Sequence, residues 1–136
     1  MPQTLSIGDM GRITDTKVET IRYYERAGLL PAPPRSAGNY RVYTQEHLSR
    51  LRFIRRAREL GFPLDQVRVL LDLAAHTDRS CEQVDAVARE HVMEIDRKIR
   101  DLRSLRQELS ELLKQCQHGK IGECRIIDAL GPGAAQ

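Results

Sequence analysis

Three cysteines, Cys81, Cys116 and Cys124, carry the most distinctive chemistry in this chain of 136 residues. They form neither a CxxC pair nor an iron–sulfur ligand run, which argues against a redox centre. In a reducing compartment a disulfide framework is not expected, so metal ligation and plain burial are the two readings. Burial explains any one of them taken singly. Thiolates are soft donors, and a set of three suits Hg, Cd, Pb, Zn or Cu(I). His118 lies between Cys116 and Cys124 and is a candidate fourth ligand. His76 is close to Cys81, while His47 and His91 read as ordinary helix residues.

The element that must position these thiols is a long helix. From Cys81 to about Gln115 there is neither Gly nor Pro, a run longer than an ordinary globular helix. In alternating steps of four and three its seam reads Cys81, Asp85, Ala88, Val92, Ile95, Ile99, Leu102, Arg106, Leu109, Leu113, Cys116. This is the a/d stripe of a coiled coil with two polar breaks, Asp85 and Arg106. Packing on its own N-terminal domain is one way to bury it; a second copy of the chain is the expected one. Cys81 and Cys116 are five heptads apart and share a face, yet stand about 52 Å apart along the helix axis. One chain cannot bring both to one ion. The seam by itself admits a parallel pair, which sets Cys81 against its own copy. An antiparallel pair sets Cys81 against Cys116, and the stripe's centre near Lys98 and Ile99 suits that two-fold arrangement. Each end would then hold Cys116, Cys124 and the other chain's Cys81, with Gly119 and Gly122 letting the loop fold back.

The first half has a different character. Ser6 caps a short helix over Ile7 to Arg12. After the polar turn Thr14-Asp15-Thr16, a second helix over Lys17 to Ala27 carries Val18, Ile21, Tyr24 and Ala27 at helical spacing, and Gly28 ends it. Two short helices across a tight turn have the shape of a helix-turn-helix. Prolines then forbid helix, and Arg35 to Tyr43 reads as a small β-wing, with Tyr40 to Tyr43 alternating like a strand. Thr44 caps a third helix to about Leu60. A fourth runs from Leu64 to Ala75, residues 76–80 form a linker, Ile126 to Leu130 make one helical turn, and the tail GPGAAQ is expected to be disordered.

Charge supports a polyanion partner for that first half. Met1 to Pro63 holds 11 Lys/Arg against 6 Asp/Glu, a net of +5; the remainder holds 11 against 13, a net of −2. On the second helix Lys17, Thr20, Arg22 and Tyr23 lie on faces suited to base edges and phosphates, with Tyr24 and Ile21 available for the core. Arg35, Arg41 and Tyr43 of the wing would reach phosphates or the minor groove, and Arg55 and Arg58 could add backbone contacts. No carboxylate pair, nucleophile–base set or phosphate loop suggests an enzyme. No segment approaches 18 apolar residues, and the opening MPQTLSIGDM lacks the features of a signal peptide. A cytoplasmic location and no membrane partner are expected.

Several stretches resemble the winged helix-turn-helix of MerR-family regulators. They are Ile7 to Met10, Val18 to Glu25, Gly28-Leu-Leu-Pro31, Arg35 to Tyr43, and Phe53 to Phe62. The likeness runs from about Ile7 to Leu130, and the C-terminal half is similar to the metal-responsive branch. It implies a mainly α fold: a winged helix-turn-helix DNA-binding domain over residues 1–75, the linker, an antiparallel coiled-coil dimerisation helix over 81–116, and a metal-binding loop, short helix and tail over 117–136. It also implies a homodimer on double-stranded promoter DNA, acting with RNA polymerase. Metal binding would distort the promoter and activate metal-resistance genes. Arg22 and Tyr23 carry over as recognition-helix contacts, and Arg35, Tyr40, Arg41 and Tyr43 as wing contacts. Cys81 stands where monovalent copper and gold sensors tend to have Ser, which favours a divalent ion (Cd, Zn, Pb or Hg). The seven-residue spacing from Cys116 to Cys124 instead resembles the copper sensors, and Gln117 replaces a second adjacent Cys found in zinc sensors. A Cu(I)/Au(I) sensor and a redox- or organic-ligand-responsive regulator are the alternatives.

Overall fold

The computed structural model describes residues 4–116 and 118–131. The tail residues 132–136 and Gln117 lie outside them, so the expectations placed there stay with the sequence. Among the described residues six α-helices follow one another: α1 (Ile7–Thr14), α2 (Val18–Arg26), α3 (Gln45–Glu59), α4 (Leu64–Ala74), α5 (Glu82–Gln115) and α6 (Arg125–Leu130), with a 3-10 turn at Ile121–Glu123. The chain divides into two compact units, Met1–Val87 and Ala88–Gln136.

Local chemistry sets the helix boundaries of the first unit. Ser6 Oγ accepts from the Asp9 N–H at 3.0 Å, and the Asp9 carboxylate accepts from the Ser6 N–H at 3.0 Å. This reciprocal box satisfies two donors that the first turn of α1 leaves orphaned. Thr44 caps α3 in the same way, with His47 Nδ1 taking the carboxylate's part by accepting from the Thr44 N–H at 3.1 Å. Helix α2 stops where Gly28 turns to φ +78, a region open to glycine. The Leu29 and Leu30 N–H groups then return to the Tyr24 carbonyl. Pro63 precedes α4, where its missing N–H is not needed.

One core organises this unit. Met10 of α1, Ile21 of α2, Leu51 and Ile54 of α3, Val67 of α4, and Leu29, Leu30 and Tyr43 from the connections are all essentially inaccessible. Burial of this kind contributes about 1.5–3 kcal/mol per large side chain. It fixes α1 against α2 and α3.

The wing differs from the expected strand. Among the described residues it is held by two isolated antiparallel bridges, Arg35 to Arg41 and Leu5 to Tyr43. The Val42 N–H donates to the Pro34 carbonyl at 2.9 Å, but Pro34 has no N–H to return, so the ladder cannot extend. Asn39 closes the tip with φ 66, and its N–H donates to the Ser36 carbonyl at 2.9 Å.

Helix α5 has 34 residues, and His91 is its one buried residue. The seam aliphatics Val92, Ile95, Ile99, Leu102, Leu109 and Leu113 are 36–64% exposed in the single chain. An apolar stripe of that length left in water is the signature of a coiled-coil dimerisation helix.

Candidate functional site

Helix α2 turns Ile21 and Tyr24 into the core and leaves Lys17, Thr20, Arg22 and Tyr23 toward its outer side. Lys17 is its exposed N-cap, and Thr20, one turn on, is half-buried. Tyr23 is exposed, its ring 6.0 Å from that of Tyr24. Arg22 pairs with Glu19 at 2.9 Å, while its Nε is buried with no partner among the described residues. Exposed pairs of this type contribute little to stability, so the guanidinium can exchange Glu19 for a phosphate or a base.

Two hollows flank the helix. One, of about 560 Å³, is lined by Ser6, Ile7, Arg22, Arg35, Asn39, Tyr40 and Arg41. It gathers three arginines and an aromatic ring from α2 and the wing on one concave surface. The other, of about 500 Å³, carries Lys17 and Thr20 together with Arg55 and Arg58 of α3. In the wing the Arg35 guanidinium donates to the Asn39 carbonyl at 3.1 Å, and Tyr40 is three-quarters exposed. A concave basic surface with protruding aromatics matches a nucleic-acid backbone and its grooves.

Tyr43 does not belong to that surface. Expected as a wing contact, it is fully buried, with its ring edge-on to His47 at a centroid distance of 5.5 Å. Its hydroxyl donates to the Glu25 carboxylate. Burial, then the hydrogen bond and the charge of Glu25, raise its pKa well above the ordinary tyrosine value. Tyr43 is a core residue because its backbone pairs with Leu5, which draws the side chain inward.

Glu25 was not singled out from the sequence. Its side chain is only 9% exposed, and besides Tyr43 it faces Arg41 Nε at 3.7 Å. One carboxylate on the recognition helix thus tethers the wing arginine. Arg55, which could add a DNA backbone contact, donates to the carbonyls of Thr14 and Asp15 in the helix-turn-helix turn. Arg50 donates to the Leu29 carbonyl at 2.6 Å, Arg68 to Ala27 at 2.5 Å and Arg58 to Phe62 at 2.9 Å. Much of the basic character therefore serves carbonyls that helix ends and turns leave free.

Cys81 belongs to the first unit, and Cys116 and Cys124 belong to the second. Cys81 is exposed at the entrance to α5, its carbonyl accepting from the Asp85 N–H at 2.8 Å. Cys116 is half-buried at the exit, its N–H donating to the Leu113 carbonyl at 3.2 Å. Cys124 is half-buried at the N-cap of α6, where its carbonyl accepts from the Asp128 N–H at 3.0 Å. His118 is exposed, with φ 56. Among the described residues, no group of three His, Cys, Asp or Glu within one chain could hold a metal ion. All three cysteines are free thiols, and the donor chemistry fits a thiophilic ion if another chain completes the set.

A helix-turn-helix with a basic wing, joined to a long helix with an uncovered apolar seam, defines a DNA-binding regulator of the winged helix-turn-helix class. Residues 5–74 match the family described as MerR HTH family regulatory protein, and residues 48–112 match that described as MerR, DNA binding. The chain is 38% identical over 125 residues to the mercuric resistance operon regulatory protein of Bacillus cereus, covering 91% of this chain and 95% of that one. The crystal structure of PbrR691 from Ralstonia metallidurans in complex with lead(II) is 40% identical, covers 93% of this chain and 99% of that one, and superposes with a TM-score of 0.80. A DNA complex of EcmrR in EcmrR-RPo is 26% identical over 82% of this chain and 39% of that one, with a TM-score of 0.66. The chain belongs to the MerR family, within its metal-responsive regulators. Members of this family act as homodimeric DNA-binding regulators and are not enzymes. No described helix is long and apolar enough to cross a membrane.

Proposed function

We propose that this chain is a cytoplasmic activator that senses a divalent thiophilic ion, Cd, Zn, Pb or Hg, at the ends of an antiparallel dimer and answers by distorting promoter DNA. Residues 1–75 read the DNA, 81–116 dimerise, and the loop after Cys116 completes the sensor. The observation that carries the reading is that Cys81 immediately precedes α5, while Cys116 directly follows it and Cys124 caps α6 shortly after. An exposed apolar seam lies between them. Cys116, Cys124 and Cys81 of the partner subunit would hold the ion, with His118 as an optional fourth ligand. When bound, the ion supplies a cross-link among three thiolates.

The chain's own residues do the rest. Lys17, Thr20, Arg22 and Tyr23 meet the duplex from α2, and Arg35, Tyr40 and Arg41 meet it from the wing. Promoter distortion follows if the two dimer conformations differ in affinity for the ion, since only differential binding shifts such an equilibrium. Cys81 supports a divalent ion. The spacing from Cys116 to Cys124 supports Cu(I) as the second reading.

The test is complementation in trans. Cys81→Ser and Cys124→Ser chains carrying different tags are co-expressed, and the mixed dimer is titrated with Cd(II) while thiolate absorption is followed. Each variant homodimer should lack a complete three-thiolate site. The mixed dimer should regain one intact site where the unsubstituted dimer has two. Failure to regain any would exclude a site shared between chains. Competition among Cd(II), Zn(II), Pb(II), Hg(II) and Cu(I) then separates the divalent reading from the monovalent one.

A further inference from the structure

The α1–α2 turn is built around a single guanidinium. Asp15 sits in the left-handed region at φ 52, ψ 46 and closes α1. The Thr16 N–H returns to the Gly11 carbonyl at 2.9 Å, and Thr14 Oγ1 donates to the Met10 carbonyl at 2.7 Å. Gly11 has no room for a side chain, since a Cβ there would stand 2.7 Å from the Thr16 carbonyl oxygen. Into this knot reaches Arg55 from α3, 40 residues away from Asp15 in sequence. Its Nη1 donates to both the Thr14 and Asp15 carbonyls. Its Nε donates to Glu59 at 3.2 Å, and its Nη2 lies 3.7 Å from the Asp15 carboxylate. The fork is engaged on all three nitrogens.

We infer that Arg55 is a positioning residue for DNA reading: it pins the turn to α3 and so fixes the angle at which α2 is presented. The inference rests on α2 being the helix that meets DNA. Two features make the clamp specific to arginine. A planar guanidinium offers paired donors in a fixed geometry, and a lysine ammonium does not reproduce that fork. The carbonyls lie at the C-terminal end of α1, where the helix dipole favours a cation. The leverage is geometric. Helix α2 has nine residues, so a tilt of about 10° at its start moves its far end by roughly 2 Å. That is enough to break base-edge hydrogen bonds, while long lysine and arginine side chains can still follow the phosphates.

The experiment uses the full-length dimer and two duplexes. One is selected from a random library by the unsubstituted protein; the other is a scrambled duplex of the same length and composition. Arg55→Lys keeps the charge and loses the fork; Arg55→Ala loses both. Both variants should bind the selected duplex roughly tenfold to a hundredfold more weakly, the scale of losing charge-assisted hydrogen bonds. They should bind the scrambled duplex about as well as the unsubstituted protein, with little change in the dependence of affinity on salt. A phosphate contact behaves differently: Arg55→Lys would restore binding, Arg55→Ala would weaken both duplexes alike, and the salt slope would fall by about one. That pattern overturns the inference. If the variants do not fold, the unsubstituted protein still decides it. The Arg55 Nε–H should be protected from solvent exchange before DNA is added, and free exchange there overturns the clamp. Failure of the unsubstituted dimer to enrich any duplex would overturn the DNA-reading assignment itself.

Discussion

Replacing Tyr43 with Phe separates two roles for this residue that make opposite demands. The ring is fully buried and meets His47 edge-on, and Phe reproduces both features. Only the hydroxyl is lost, and with it the bond to Glu25. Glu25 is nine-tenths buried and would keep only Arg41 at 3.7 Å. A hydrogen bond to a charged group contributes about 1.5–3 kcal/mol, so the substitution should cost about 2 kcal/mol. At an ordinary urea dependence of about 1–3 kcal/mol per molar, the unfolding midpoint should fall by roughly 1 M. Circular dichroism at fixed dimer concentration measures this, and fluorescence anisotropy on a bound duplex measures DNA affinity under folded conditions, which should change little. The pH response adds an internal control. The raised pKa of Tyr43 means that its contribution is complete below the ordinary value of 10.0 and is lost as pH rises through the folded value. Tyr43→Phe should remove that alkaline loss. An unchanged midpoint with a tenfold loss of DNA affinity would refute the core assignment and return Tyr43 to the DNA surface.

Other perturbations test other parts. Ile99→Asp places a charge at the centre of the α5 seam, where a two-fold pair meets itself. An unpaired buried charge costs several kcal/mol, so sedimentation should show the dimer dissociating at concentrations at which the unsubstituted protein stays paired, and an unaltered dimer would mean the seam is buried elsewhere. Arg22→Ala should weaken binding to a selected duplex by about 1–3 kcal/mol and relax base preference, with Cd(II) uptake intact; normal affinity removes Arg22 from the recognition set. Acid should destabilise the fold. The Asp9 carboxyl is held below its ordinary 3.8, chiefly by the Ser6 backbone N–H, and Glu59 and Glu94 are held below their ordinary 4.5, chiefly by Arg56 and Arg97. Their contribution is therefore present above those values and lost as pH falls through the lower folded ones, so urea midpoints should decline on that side, and a rise there would contradict the assignment.

The capped helix ends were legible because their causes are local, whereas α1 runs on through Thr14, which reads as turn in the sequence. Ser6 with Asp9, Thr44 ahead of α3, and Gly28 after α2 act within three or four residues of the element they terminate. The α5 seam was legible for the same reason, since heptad spacing is a property of one segment. Side-chain roles in the DNA-binding unit were less so. Tyr40 and Tyr43 are both wing aromatics, yet one is three-quarters exposed and the other fully buried. The difference comes from the pairing of Tyr43 with Leu5, a partner 38 positions earlier that no local pattern announces. The arginines divide similarly. Arg22 and Arg35 line the basic hollow, while Arg50, Arg55 and Arg68 satisfy carbonyls 21 to 41 residues away. Counting charge shows that a surface is basic. It cannot show which guanidinium groups are already engaged, because their acceptors are created by folding.

The cysteines raise a different question, which concerns assembly. Within one chain Cys81 belongs to the first unit and Cys116 and Cys124 to the second, and the described residues form no metal-holding cluster, so a shared site would tie metal affinity to dimerisation. Under the proposed arrangement each ion bridges two copies. Metal would then stabilise the dimer by RT ln(1 + [L]/Kd), about 2.7 kcal/mol per site at a hundredfold excess over Kd. Dimer stability should therefore rise with free Cd(II), and Cys81→Ser should abolish that rise while leaving the apolar seam intact. This linkage separates a sensor built across chains from a loop that binds metal by itself: a loop site would take up Cd(II) through Cys116 and Cys124 without changing the dimer's dissociation.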